Sequence, residues 1–105
     1  MGDDDKYNEE KKAGTTKEEK PKLLSNYPNP FSGYTTLEAY LTDEVKSAYF
    51  VISDMTGSKI KTIHLMERGK TGAQFDGSLL ANGTYFATLM VDGQVNGTLK
   101  MVVTH

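Results

Sequence analysis

After residue 22, apolar and polar residues alternate in short segments, which is typical of β-strands with one buried face. The segment 35–41 alternates Leu37, Ala39 and Leu41 with polar or amphipathic residues, and no segment keeps a helical period for more than one turn. β-Branched and aromatic residues are frequent in these segments. The pattern predicts strands over 35–41, 46–54, 58–65, 71–77, 84–91 and 95–103, with a short first strand near 23–25.

Turn-forming residues separate the predicted strands. Gly57 suits the left-handed conformation that closes a tight hairpin, and Asp92-Gly93 lies between two apolar runs, as in a two-residue hairpin turn. Seven short antiparallel strands in about 80 residues are typical of an immunoglobulin-like sandwich. The sequence therefore predicts an all-β fold: an immunoglobulin-like antiparallel β-sandwich of about seven strands with a disordered charged N-terminal tail.

The first 22 residues differ in composition from the rest of the chain. Their apolar members are Met1, Tyr7 and Ala13, beside 7 acidic residues and 6 lysines. Such a segment buries too little apolar surface to offset the entropy lost on ordering. We therefore expect residues 1–22 to form a disordered tail or linker and residues 23–105 to form one domain.

Charge and composition exclude several classes of partner. The formal net charge is −2, divided equally between tail and domain, so neither part offers a basic face for nucleic acid. There is no cysteine to form disulfides or bind metals, and no apolar run approaches the roughly 20 residues that span a bilayer. No signal peptide is visible, so an export signal is expected upstream, removed from the mature protein.

The sequence offers little for catalysis. His64 lies in an alternating strand, and the carboxylates of the domain fall at predicted strand ends or turns, where they bond to nearby backbone amides. The Asn-Gly-Thr sequons at Asn82 and Asn96 coincide with turn or bulge signals. We therefore predict that the domain is not an enzyme, with no catalytic residue, cofactor, metal or small-molecule substrate.

Several tyrosines suggest a second interpretation. As strand residues they are expected to be half-buried with the hydroxyl in water. Together they could instead build a glycan-binding face, which would suit a small cell-surface adhesion module. Such a module could also carry a lipoprotein anchor. These residues are Tyr27, Tyr34, Tyr40, Tyr49 and Tyr85.

The stretch Tyr27-Pro28-Asn29-Pro30-Phe31, here called the proline motif, precedes the first long strand. Each proline biases its predecessor toward extended conformations and cannot donate to a sheet ladder. The motif is too apolar for a linker and lacks the P-x-x-P spacing of ligands for proline-reading domains. We predict an extended, edge-like segment in which Phe31 plugs the end of the sandwich.

These residues together resemble the type A C-terminal sorting domain of the type IX secretion system of Bacteroidota, over residues 24–105. The proline motif, the D-x-x-G turn and the closing lysine-plus-hydrophobic strand all match. So does the family's W-D-G…G-x-Y-F-x-x-L pattern, although the family tryptophan is Phe75 here and Ser58-Lys59 replaces the arginine usual after the turn. The matching residues are Asp54, Gly57, Phe75, Asp76, Gly77, Gly83, Tyr85, Phe86, Leu89, Lys100, Met101, Val102 and Val103.

The resemblance implies a non-catalytic targeting domain at the C-terminus of a secreted cargo protein. An outer-membrane translocon would recognise it and carry the cargo from the periplasm to the surface, where a sortase-like peptidase removes the domain. The expected recognition residues are Lys100, Met101, Val102, Val103 and Thr104, read through strand addition or exposed side chains.

No cargo precedes the domain in this sequence, so two alternatives stay open. The chain is either a fragment of a longer protein or a free-standing small surface protein with the same fold. In the second case an adhesion role or a purely structural role replaces sorting.

Overall fold

The computed structural model describes residues 20–105, and the predicted disorder of the tail lies, for residues 1–19, outside the described residues. The described part contains seven strands. They are β1 (Lys22–Tyr27), β2 (Tyr34–Leu41), β3 (Ala48–Asp54), β4 (Lys59–His64), β5 (Gly69–Asp76), β6 (Gly83–Val91) and β7 (Gln94–Val103).

The strands form two antiparallel sheets, one ordered β1-β2-β5 and the other β4-β3-β6-β7. This arrangement confirms the predicted all-β sandwich and its seven strands. β1 is longer than expected: it begins at Lys22, the last residue assigned to the tail, and continues to Tyr27. Residues 28–30 are bends, and the Tyr27–Pro28 and Asn29–Pro30 peptide bonds are cis. The extended segment predicted for 27–30 therefore ends where the prolines begin.

The core is built from the alternating positions of β2, β3, β6 and β7. Alternate residues of each strand are buried between the sheets, including the predicted inward sets of β2 and β3. β4 is different, since it contains no fully buried residue and Ile60 remains 38% exposed. The buried hydrophobic strand residues are Leu37, Ala39, Leu41, Ala48, Phe50, Ile52, Phe75, Tyr85, Ala87, Leu89, Met101 and Val103.

Tyr85 corrects the expectation that the tyrosine hydroxyls face water. Its side chain is buried, and its hydroxyl donates to the Ala81 carbonyl oxygen at 2.8 Å. A tyrosine near the start of this strand, bonded to backbone a few residues upstream, is the tyrosine corner of immunoglobulin-like sandwiches. The bond satisfies a hydroxyl that would otherwise be costly to bury.

The predicted turns adopt the expected backbone conformations. Gly57 has φ = 89°, and the two central residues of the β6–β7 turn, Asp92 and Gly93, have φ of 51° and 82°. Positive φ at both central positions matches the twist of a two-residue hairpin. Asn96 lies at a register shift of the same hairpin, where its amide nitrogen donates to the Pro21 carbonyl oxygen at 3.0 Å.

Three aspartates hold the turns through their carboxylates. Asp54 accepts bonds from Thr56 and Ser58, and Asp92 accepts from the backbone amides of Lys46 and Ser47. These hydrogen bonds lower the pKa of both carboxyls below the ordinary value of 3.8. The pKa of Asp76 is lowered in the same way by bonds from Ser78, with a smaller effect of the Lys61 charge.

We expect the domain to lose stability in acid for this reason. A lowered folded-state pKa stabilises the fold above the unfolded value, and that stability is lost as the pH falls below about 4 through the folded-state values. The urea midpoint should fall between about pH 5 and about pH 2. Asp92→Asn should lower the midpoint at neutral pH and make its pH dependence shallower, because one titrating group is gone. Equal pH slopes for wild type and variant would contradict this role.

Candidate functional site

The two ends of the domain are separated along β7. β7 begins at the β6–β7 turn, where Asn96 holds Pro21 at the end of the tail, and it finishes beside the proline motif. The residues predicted for recognition, Lys100–Thr104, here called the terminal segment, therefore lie at the end of the sandwich opposite the attachment of the tail.

Alternation along β7 divides the terminal segment into two sets. Met101 and Val103 are 0% and 1% exposed and belong to the core. Lys100 and Thr104 are exposed, and Val102 is half-buried on the outer face of the four-stranded sheet. A partner of the folded domain can therefore contact the side chains of the second set only.

The proline motif covers the outer edge of the terminal segment, a contact that sequence reasoning did not predict. The Phe31 amide donates to the Val102 carbonyl oxygen at 3.0 Å, and the Thr104 amide donates to the Phe31 carbonyl oxygen at 2.9 Å. Phe31 and Val103 thereby form an isolated parallel bridge.

Asn29 extends this cover with its side chain. Its amide oxygen accepts from the Val102 amide at 2.9 Å, and its amide nitrogen donates to the Lys100 carbonyl oxygen at 3.1 Å. Prolines have no N–H to give, so Asn29 supplies the donor that the motif's backbone lacks at Pro28 and Pro30. Strand addition at the terminal segment is therefore blocked in the folded domain, because the Lys100 carbonyl, both main-chain groups of Val102 and the Thr104 amide are already bonded.

The aromatic ring of Phe31 anchors the motif in the core, as the sequence predicts. Phe31 is 4% exposed and packs edge-to-face on Phe75, with ring centroids 6.3 Å apart. A Cβ at Gly77 would lie 2.6 Å from the Phe31 Cε2 atom, so the glycine makes room for the ring. Phe75 and Gly77 are thus explained by packing against the proline motif, while Asp76 between them holds the following turn through Ser78.

The remaining motif residues have separate places. Phe86 lies opposite Lys100 on the outer face of the four-stranded sheet, where Thr84 lies opposite Val102. Gly83 precedes this pair at the start of β6 with φ = 155°, and Asp54 and Gly57 form the β3–β4 turn. Lys100, Phe86 and Val102 therefore form a small surface that combines an exposed ammonium group with two half-buried apolar side chains.

The last residue is also held in place. The His105 amide donates to the Asn82 side-chain oxygen at 2.8 Å, and its ring Nε2 lies 2.7 Å from the Leu80 carbonyl oxygen. Asn82 thus has a structural role next to the terminal segment.

The tyrosines do not gather on one face. Tyr85 is buried, Tyr49 lies against His64 on the four-stranded sheet, and Tyr27 is 78% exposed in the proline motif. Five tyrosines on two sheets and in the core cannot act as one sugar-binding surface. The glycan-binding arrangement predicted as an alternative is therefore not assembled.

The described residues contain no cluster of side chains suited to a metal ion. Across 20–105, no three His, Cys, Asp or Glu side chains come together in a metal-binding arrangement. The same residues contain no helix with the length and hydropathy needed to cross a membrane.

The two antiparallel sheets and the tyrosine corner place the chain among the immunoglobulin-like β-sandwich domains. Within that class, residues 25–104 match the family described as the secretion system C-terminal sorting domain, and the chain belongs to this family. Its members are non-catalytic sorting signals for type IX secretion, recognised by the type IX machinery, and they direct export to the cell surface or secretion. No curated protein matches the chain.

Proposed function

We propose that the type IX machinery recognises the folded domain through exposed side chains of the terminal segment. Lys100, Val102 and Thr104 make the contacts, with Phe86 beside them. Met101 and Val103 act indirectly, by holding the strand in the core. The observation that carries this proposal is the closed edge: Asn29 and Phe31 occupy the backbone groups that strand addition would need.

The position of the tail supports the same assignment. A cargo attached through residues 1–22 enters at Lys22, at the end of the domain opposite the terminal segment. Residues 23–105 then form the sorting domain, and the cargo does not cover the recognition surface.

The translocon in the outer membrane is the proposed partner, reached through the periplasm after removal of an upstream signal peptide. A sortase-like peptidase then releases the cargo. The domain contributes no catalysis to these steps.

Lys100→Glu tests the recognition surface without disturbing the core. In a host with the type IX system, a reporter fused to the full chain should lose roughly tenfold in surface delivery, since a central interface residue is worth about 1–2 kcal/mol. Surface delivery is measured as the protease-accessible fraction of the reporter.

Lys20→Glu is the matched control, because Lys20 is exposed at the opposite end of the domain. Both purified variants should unfold within about 0.5 kcal/mol of wild type, as surface substitutions usually do. If Lys100→Glu is delivered as well as Lys20→Glu, the terminal segment is not the recognition surface.

A further inference from the structure

Three of the four sheet edges are protected against an added strand. β7 is covered at its end by Asn29 and Phe31, and β1 carries a register shift and lies against β7. β4 has a register shift against β3 and carries two exposed lysines, Lys59 and Lys61. Bulges, lysines and coverage are the usual devices that prevent edge pairing.

The outer edge of β5 has neither a bulge nor a covering segment among the described residues, and its single exposed lysine, Lys70, lies at one end of the strand. β5 pairs with β2 over eight consecutive residues without a register shift. The Gly77 amide donates to the Gly33 carbonyl oxygen, which fixes the alternation of hydrogen bonds along the pair. The main-chain groups of Lys70, Gly72, Gln74 and Asp76 therefore point away from β2, and none of them has a partner among the described residues.

The sandwich is also open on this side. One sheet has three strands and the other four, and their edge strands β1 and β7 lie against each other at one side of the sandwich. At the other side the fourth strand, β4, therefore extends past β5. Burial agrees with this offset: Ile63 of β4 and the inward residues Thr71 and Ala73 of β5 are only partly buried. A strand added to β5 would lie beneath β4 and complete a four-on-four sandwich.

Side chains along the β5 edge define the partner. Gly72 has no side chain, and a depression of about 510 Å³ lies there, lined by Lys70 to Gln74 of β5 and by Thr36 and Glu38 of β2. Lys70 stands at one end of the edge and Asp76 at the other. An antiparallel partner would therefore place an acidic residue opposite Lys70, a bulky one opposite Gly72 and a basic one opposite Asp76.

We propose that the β5 edge is an acceptor for an extended segment of another polypeptide. The segment pairs antiparallel with residues 70–76. Its inward residues are apolar and contact Ala73 and Ile63, and its outward residues run basic, bulky, acidic. A second copy of β5 would match these charges, but it would bring a second β4, with Lys59 and Lys61, against the first. This surface lies at the side of the sandwich away from β7 and is independent of the proposed recognition surface.

The test uses the full chain and two capped peptides, KVTVYVE and its charge-swapped form EVTVYVK. The first should bind at least about tenfold tighter, because the swap puts like charges opposite Lys70 and Asp76. In nuclear magnetic resonance spectra the amides of residues 70–76 should shift on binding, while those of the terminal segment should not. Equal binding of the two peptides, or shifts confined to the terminal segment, would overturn the proposal.

Gln74→Pro removes one outward N–H and leaves the pairing of β5 with β2 intact, so it should weaken binding about tenfold. Gln74→Ala is the matched control and should bind within about threefold of wild type. Lys70→Glu provides a second variant at an exposed position, and it should reduce the preference for KVTVYVE. If Gln74→Pro binds the peptide as well as wild type, the proposal is overturned. It is also overturned if the free chain forms a dimer and Gln74→Pro abolishes that dimer, because the occupant of the edge would then be a second copy of the chain.

Discussion

Phe31→Ala is expected to destabilise the domain by about 3–5 kcal/mol, the usual cost of removing a buried phenylalanine. The ring is 4% exposed and fills the end of the sandwich against Phe75. Its loss leaves a cavity beside Gly77. It also removes the anchor that holds the Phe31 backbone in place for its hydrogen bonds to Val102 and Thr104. Urea unfolding, followed by circular dichroism, measures the effect.

Tyr27→Ala is the control for Phe31→Ala, since it removes an aromatic ring from the same motif at a position that is 78% exposed. It should change the free energy of unfolding by less than about 0.5 kcal/mol. Similar losses for the two variants would show that the motif acts through its backbone and not through the Phe31 ring.

Deletion of residues 101–105 is expected to unfold the domain. It removes two fully buried side chains, Met101 and Val103, each worth about 1.5–3 kcal/mol of burial. It also removes the Val102 and Thr104 groups that bond to Phe31 and Asn29. The sum approaches the total stability of a small domain, about 5–15 kcal/mol. Dispersed amide resonances should collapse in the truncated chain.

Deletion of His105 alone provides the comparison. It removes the contacts with Asn82 and Leu80 and no core residue, so the chain should remain folded with a small loss of stability. If the chain lacking 101–105 keeps its dispersed spectrum, the terminal segment is not part of the folding unit. If the truncated chain does unfold, an export defect caused by the truncation reflects the loss of folding as well as any loss of recognition. Lys100→Glu is then the informative variant, because it changes the proposed recognition surface without removing a core residue.

The proline motif and the terminal segment are one structural unit although about 70 residues separate them in the sequence. Asn29 and Phe31 give the terminal strand the neighbour that the sheet does not provide. Thr35, which is buried, fixes the motif from behind by donating to the Pro28 carbonyl oxygen at 2.7 Å. The proposed recognition surface therefore exists only when both ends of the domain have folded together.

The sequence alone indicated some of this site and concealed the rest. Alternate residues of a strand face opposite sides of the sheet, so the sequence alone predicts two sets in the terminal segment. One set is Lys100, Val102 and Thr104, and the other is Met101 and Val103. The role of Asn29 was less accessible. One hint existed, since the amide side chain of an asparagine between two prolines can both donate and accept where the proline nitrogens cannot donate. Its partners, Lys100 and Val102, could not be inferred from local pattern, because they are distant in sequence.

Alternation, turn chemistry and motif spacing determined the all-β class, the seven strands, the β6–β7 hairpin and the family. These features depend on the conformational preferences and hydrophobic pattern of residues that are neighbours in sequence. Only the tertiary structure decided that the motif at one end closes the edge of the strand at the other, that Tyr85 is a buried corner and that β5 keeps an open edge. Each of these depends on which strands become neighbours, and that is settled by packing among residues far apart in sequence.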